Sequence, residues 1–197
     1  KTLYDNDLVQ WIRDRLKVAQ FKIDEKTLQI LFEALGNDLS KIEKEIDKLK
    51  IILEDHSLIS PELIEKHVGF SKDYNNFELY KAVGERDFLK CFKIVKYMAK
   101  NPKNHPLVLT ISGFYNFFRR VLLYHGLVDK SNSASLLGVN PYFVKDYEYA
   151  CKKFTLKQAS KAITLTLEAD LKSKGVGVKS NNQYNILQDL LVKIFDA

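Results

Sequence analysis

Gly36-Asn37-Asp38-Leu39-Ser40-Lys41-Ile42-Glu43-Lys44-Glu45-Ile46-Asp47-Lys48-Leu49 decides how this chain folds. In this short span one helix closes, the next is capped, and an amphipathic helix is laid out. Gly36 suits the left-handed position that ends a helix, and Asp38 offers a carboxylate to the free amides of the next first turn. Leu39, Ile42, Ile46, Leu49 and Leu53 recur at steps of three and four, drawing a single apolar stripe. Lys41, Glu43, Lys44, Glu45, Asp47 and Lys48 fill the opposite face. The pattern is that of a surface helix in a small bundle, and the expected fold class is all-α.

The same signals continue on both sides. A first helix is expected from Asn6 to Gln20, with Leu8, Ile12, Leu16 and Ala19 on one side. Asp24 can cap a second, carrying Leu28, Leu31 and Leu35 inward until Gly36 stops it. Ser60-Pro61-Glu62 opens a fourth, because Ser caps well and Pro fits the first helical turn. Four short helices make a compact unit over residues 1–70, and Gly69 to Tyr74 reads as its exit linker.

A second unit is expected over residues 75–197. Asn75-Asn76 can cap a helix with Phe77, Leu79, Tyr80 and Val83, and another follows from about Asp87 to Lys100. Asn101-Pro102-Lys103-Asn104-His105-Pro106 is a loop. Pro106 to Asp129 is then the longest segment, roughly 35 Å at the helical rise. Leu107, Ile111, Phe114, Phe118, Val121 and Leu122 line it and Tyr115 and Phe117 widen the stripe, so it is expected to be the bundle's central post. Asn140-Pro141 starts a further helix, Thr155 caps one reaching Lys174, and a last helix carries Leu187, Leu190, Leu191 and Ile194. Gly175-Val176-Gly177-Val178 and Ser180-Asn181-Asn182 form the loop between those two. No strand of useful length, internal repeat or low-complexity tract is visible.

Size and composition narrow the function. The 197 residues can bury one or two cores. No run approaches the roughly eighteen uncharged apolar residues of a membrane span. The start, Lys1-Thr2-Leu3-Tyr4-Asp5, has no Met and no signal-peptide core, and reads as a cut inside a longer protein. Cys91 and Cys151 are too few for a disulfide scaffold and wrongly spaced for zinc, which fits core residues in a cytoplasmic protein. Charge is uneven. Residues 1–70 hold 11 Lys and Arg against 14 Asp and Glu, whereas 71–197 hold 20 against 11. The second unit suits an acidic partner or nucleic acid.

Enzyme readings fail on spacing. No glycine stands in the frame of a phosphate-binding P-loop, and Gly175-x-Gly177 follows a helix and meets Ser180 where a dinucleotide fingerprint needs a third glycine. His56, His67, His105 and His125 have no ligand-spaced partners and read as surface or loop histidines. No nucleophile with an adjacent base is evident. Neither a cofactor nor a metal site is expected.

Binding readings are richer. Arg86, Lys90, Lys93, Lys96, Lys100 and Lys103 project into one broad arc at about 100° per residue, opposite Cys91, Ile94, Val95 and Met98. Lysines in a row can neutralise phosphates without reading sequence; a solvated outer face would look the same. Phe114-Tyr115-Asn116-Phe117-Phe118-Arg119-Arg120 has the composition to stack bases, and core packing with arginines at a helix edge accounts for it equally. Leu136-Leu137-Gly138-Val139-Asn140-Pro141-Tyr142-Phe143-Val144 invites a helix-turn-helix reading, but Asp146 and Glu148 early in the second helix would face phosphate.

Four segments, in order, resemble the delta subunit of the bacterial DNA polymerase III clamp loader. They are Gly36-Asn37-Asp38-Leu39 with Glu45-Ile46-Asp47-Lys48-Leu49; Phe77-Glu78-Leu79-Tyr80-Lys81-Ala82-Val83 with Arg86-Asp87; Leu137 to Lys145; and Leu167-Glu168-Ala169-Asp170-Leu171-Lys172-Ser173-Lys174-Gly175. The resemblance implies a lid domain of the AAA+ type for residues 1–70 and a helical collar domain for 75–197. It implies a scaffold role in DNA replication within the polymerase III holoenzyme, a DNA-directed DNA polymerase. Its partners would be other clamp-loader subunits, met through the collar, with primer-template DNA as a further candidate. The domain that grips the sliding clamp would lie outside this chain. ATP-hydrolysing relatives place an arginine at the start of the third lid helix; Asn37-Asp38-Leu39-Ser40-Lys41 has none, which fits a subunit without ATPase activity. Asp170 and Lys174, four apart, are expected to pair structurally.

Overall fold

The structure, a computed structural model, describes residues 5–36, 38–54, 56–177 and 183–197, without the side chains of Asp5, Asn6 and Gln183. Asn37 and the loop positions Val178, Ser180, Asn181 and Asn182 lie outside the described residues. The chain divides into two compact units, Lys1–Asn75 and Asn76–Ala197. The fold is all-α: among the described residues there are eleven α-helices and only one two-residue pair of strands.

The first unit holds α1 (Asp5–Val18), α2 (Glu25–Leu35), α3 (Leu39–Ile52) and α4 (Pro61–His67). Each start is set locally. Asp24 accepts from the Thr27 amide at 2.7 Å, Asp38 from Ser40 and Lys41 at 3.0 and 3.1 Å, and Ser60 from Leu63 at 3.4 Å. Such caps contribute about 1 kcal/mol each. Leu8, Ile12 and Leu16 of α1, Leu28, Leu31 and Leu35 of α2, Ile42, Ile46 and Leu49 of α3 and Ile64 of α4 make one buried cluster. Leu39 and Leu53, at the two ends of the α3 stripe, stay partly exposed.

A feature with no sequence signal is a parallel pair between β1 (Lys22–Ile23) and β2 (Leu58–Ile59). Gln20 and His56 both turn left-handed, at φ 61° and 65°, to bring these strands together, and the His56 amide donates to the Gln20 carbonyl at 3.0 Å. Two residues per strand are too few for alternation to register.

The second unit holds α5 (Asn76–Gly84), α6 (Phe88–Lys100), α7 (Leu107–Gly126), α8 (Ser133–Leu137), a 3-10 turn at Pro141–Phe143, α9 (Val144–Lys153), α10 (Leu156–Ser173) and α11 (Gln183–Phe195). α7 is the hub, packed against α5, α8, α9 and α10, while α11 packs on α10 and α6. Phe114, Phe118 and Phe154 are fully buried, the latter two edge to face at 5.3 Å. Two glycines let α5 approach closely: a Cβ on Gly84 would lie 2.9 Å from the Phe117 ring, and one on Gly113 1.9 Å from Tyr80 Oη. α7 is a hub but not an enclosed post. Val108, Leu109, Tyr115 and Leu123 keep one of its faces exposed. Asn140 caps the 3-10 turn and Thr155 makes a capping box with Gln158.

Candidate functional site

The basic arc is built on α6. Asp87 caps it, accepting from the Lys90 amide at 2.9 Å, and Cys91, Ile94, Val95 and Met98 are fully buried. The helical repeat then turns Lys93, Lys96 and Lys100 outward, and Lys103 follows in the exposed loop.

Arg86 and Lys90 leave this row. Arg86 stands before the helix at φ 59°, and its guanidinium donates to the Phe195 carbonyl at 2.8 Å while lying 4.7 Å over the Phe154 ring. It ties the last helix to the core. Lys90 bends back to the buried Glu78 carboxylate of α5 at 2.7 Å. Burial pushes the Lys90 ammonium down, but the hydrogen bond and charge of Glu78 outweigh it and the net shift is upward. Lys93, Lys96, Lys100 and Lys103 remain, and no carboxylate among the described residues pairs with any of them.

The left-handed strain at Arg86 is testable. Arg86→Ala keeps the left-handed strain and loses the tether, whereas Arg86→Gly relieves the strain. Urea unfolding is expected to place the alanine variant about 1 kcal/mol below the glycine variant. Equal stabilities would mean that the backbone at this position relaxes freely.

The aromatic segment resolves into core packing. Phe114, Phe117 and Phe118 are buried, Tyr115 and Arg119 face outward, and Arg120 Nε donates to the Leu137 carbonyl at 3.2 Å. The helix-turn-helix-like stretch is also structural. Gly138 turns left-handed at φ 64°, and Phe143, Tyr147 and Ala150 are buried, with Phe143 edge-on to Phe77 at 5.0 Å. Asp170 and Lys174 pair at 2.6 Å.

A second surface is apolar. Val108, Leu109, Tyr115 and Leu123 on α7 and Leu156, Leu167 and Leu171 on α10 are all at least two-fifths exposed. At about 100° per residue those of α7 fall within an arc of about 120° and those of α10 within about 60°, so each set forms a stripe on the side turned away from the core.

Burial pushes the Cys91 and Cys151 thiols up to about 12 and 11, so neither is a thiolate at neutral pH. Among the described residues no three His, Cys, Asp or Glu side chains converge as a metal site. At the start of α3 the Lys41 ammonium donates to the Ala34 carbonyl at 3.2 Å, closing the end of α2. His125 Nε2 lies 2.8 Å from the Phe154 carbonyl and therefore carries the proton.

His105 is a loop residue but not a surface one. It is buried, edge-on to Tyr97, and burial lowers its pKa from 6.5 to about 4. The unfolded chain thus takes up a proton that the folded one refuses. The stabilisation from the neutral ring is complete above about pH 6.5 and is lost as pH falls through about 4. On the order of 2 kcal/mol of stability is expected to disappear over that window. Urea midpoints of wild type and His105→Gln at several pH values check it: the variant's decline should be shallower. Parallel declines would remove His105 from the acid response.

No protein family matches this chain, and no curated protein matches it either. Among solved structures it is similar to the Bacillus subtilis DNA clamp loader delta protein (YqeN), with a TM-score of 0.61 and 22% identity. The likeness covers 100% of this chain and 58% of that one, so the chain spans somewhat over half its length. At this identity the likeness establishes the fold, which is clamp-loader-like. No helix among the described residues is long and apolar enough to cross a membrane.

Proposed function

We propose that this chain is the lid and collar of a delta-type clamp-loader subunit, the lid over residues 1–70 and the collar over 75–197, and that its work is assembly in DNA replication rather than catalysis. The observation that carries this reading is a fold likeness to a clamp loader delta protein that covers 100% of this chain. Two local features support it. The start of α3 offers Lys41 to a helix end and presents no arginine to a nucleotide. The apolar stripes of α7 and α10 are the kind of surface that other clamp-loader subunits would cover. The sliding clamp would be met by a domain outside this chain, and the setting would be cytoplasmic.

Size exclusion with light scattering tests this, with the chain mixed with the remaining clamp-loader subunits of its source. Co-elution in a defined complex is expected, and Leu109→Glu with Leu123→Glu should weaken it about a hundredfold, since central apolar contacts contribute about 1–2 kcal/mol each. A chain that stays alone while folded would overturn the reading.

A further inference from the structure

We infer that Lys93, Lys96, Lys100 and Lys103 form a face that binds the phosphate backbone of nucleic acid without regard to base sequence. The inference goes beyond the assembly reading and does not depend on it, because the two surfaces share no residue.

On several other helices the solvated lysines pair with carboxylates: Lys48 with Glu45 and Lys50 with Asp47 on α3, Lys152 with Glu148 on α9, Lys174 with Asp170 at the end of α10, and Lys172 and Lys193 with Asp189 between α10 and α11. Mixed faces are thus common in this chain, with Lys157 and Lys161 on α10 a shorter exception that has no carboxylate partner among the described residues. The α6 face is not mixed. From Phe88 to Val128 the sequence contains no Asp or Glu at all. Glu78, which reaches α6 from α5, holds Lys90 and leaves the outer row untouched.

The row also carries an electrostatic cost. Lys93, Lys96 and Lys100 follow one another at helical neighbour spacings, so like charges repel along the face. A mixed surface would be equally soluble and more stable. The repulsion is relieved when a row of anions lies along the helix, and Lys93 to Lys100 covers about 10 Å of helix axis.

Two kinds of macromolecule carry such anions, acidic proteins and nucleic acids, and the make-up of the face favours the second. A protein interface has an apolar centre from which lysine is depleted. This face has lysines at its centre, and its apolar member, Leu89, lies a turn from the row's start with 73% exposure. Lysine is a flexible point charge without the fixed fork that selects a carboxylate or a base edge. Four such charges suit a backbone of uniformly spaced phosphates and carry no base-specific readout.

The test is fluorescence anisotropy of the 197-residue chain with a labelled duplex of about 20 base pairs and arbitrary sequence, between about 50 and 200 mM salt. With four phosphates neutralised, the plot of log K against log salt should have a slope of about −3.5. The variant K93Q/K96Q/K100Q/K103Q should flatten that slope and lose at least about a hundredfold in affinity at the lowest salt, while the corresponding four arginines should retain both. A control with K145Q/K157Q/K161Q, exposed lysines of α9 and α10, should change affinity by no more than about threefold. Circular dichroism verifies that each variant is folded. Equal losses in both variant sets would reduce the effect to net charge and overturn the proposal, as would an absence of duplex binding by wild type. Binding of poly-glutamate as tight as that of the duplex would assign the face to an acidic protein instead.

Discussion

Replacing Gly113 with alanine is expected to destabilise the second unit by about 3 kcal/mol, against the direction that helix propensity predicts. Alanine is favoured over glycine in a helix interior by about 1 kcal/mol, so an open site would be stabilised. Here the new Cβ would fall 1.9 Å from Tyr80 Oη, 2.3 Å from Cζ and 2.7 Å from Cε2. The ring is not free to swing away. Its hydroxyl donates to the Thr110 carbonyl at 3.0 Å, and the ring stands edge-on to Phe114 at 5.0 Å. Relief would require α5 to withdraw from α7, and overpacking of that kind costs about 1–3 kcal/mol and occasionally more. Urea unfolding of Gly113→Ala, Tyr80→Ala and the double variant checks it. With Tyr80 already truncated, the alanine should be neutral or stabilising, so the two changes are strongly non-additive. If Gly113→Ala stabilises the wild-type background, the close approach of the two helices is wrong.

The Gly113–Tyr80 contact has no local signal in the sequence. Helix starts are legible because their chemistry is local: Asp24, Asp38, Ser60, Asn140 and Thr155 all cap where the sequence places them. The inward stripes of α1 to α3 follow from periodicity alone. Gly84 and Gly113 carry a weaker hint, since a glycine inside a helical pattern asks for a packing reason, yet nothing local names Tyr80 or Phe117 as that reason. The burial of His105 is similarly invisible, because Tyr97 reaches it from the preceding helix. The strand pair is closed by two left-handed residues 36 positions apart, Gln20 and His56, neither of them a glycine.

The basic arc failed in part for a related reason. A helical wheel places Arg86 and Lys90 with the other lysines because it knows only angles. The angle for Arg86 is void, since the residue precedes the helix and its backbone turns left-handed. The angle for Lys90 is sound, but a long side chain follows the nearest buried charge rather than the direction of its own Cβ. Glu78, twelve residues earlier, captures it. What the wheel predicted as six cations is therefore four outward lysines and two structural ties.

Lys90 thus makes the sharpest separation between fold and binding. Glu78 keeps only about 8% of its side chain exposed, and Lys90 about 35%. Taking the ammonium from a buried carboxylate typically costs 3–5 kcal/mol, and the partial exposure of Lys90 reduces this to about 2–3 kcal/mol for Lys90→Met. The double variant Glu78→Gln with Lys90→Met should recover most of that loss, because the buried charge is then gone along with its counterion. The raised pKa of Lys90 adds a sign that can be checked: the pair's contribution is complete below about pH 10.5 and is lost as pH rises through the folded value. Thermal unfolding of the three proteins at neutral and alkaline pH measures both effects. Duplex affinity of folded Lys90→Met should meanwhile match wild type within about threefold, since the ammonium it removes is already held by Glu78. A stable variant that no longer binds the duplex would return Lys90 to the phosphate face and break the division of labour along α6.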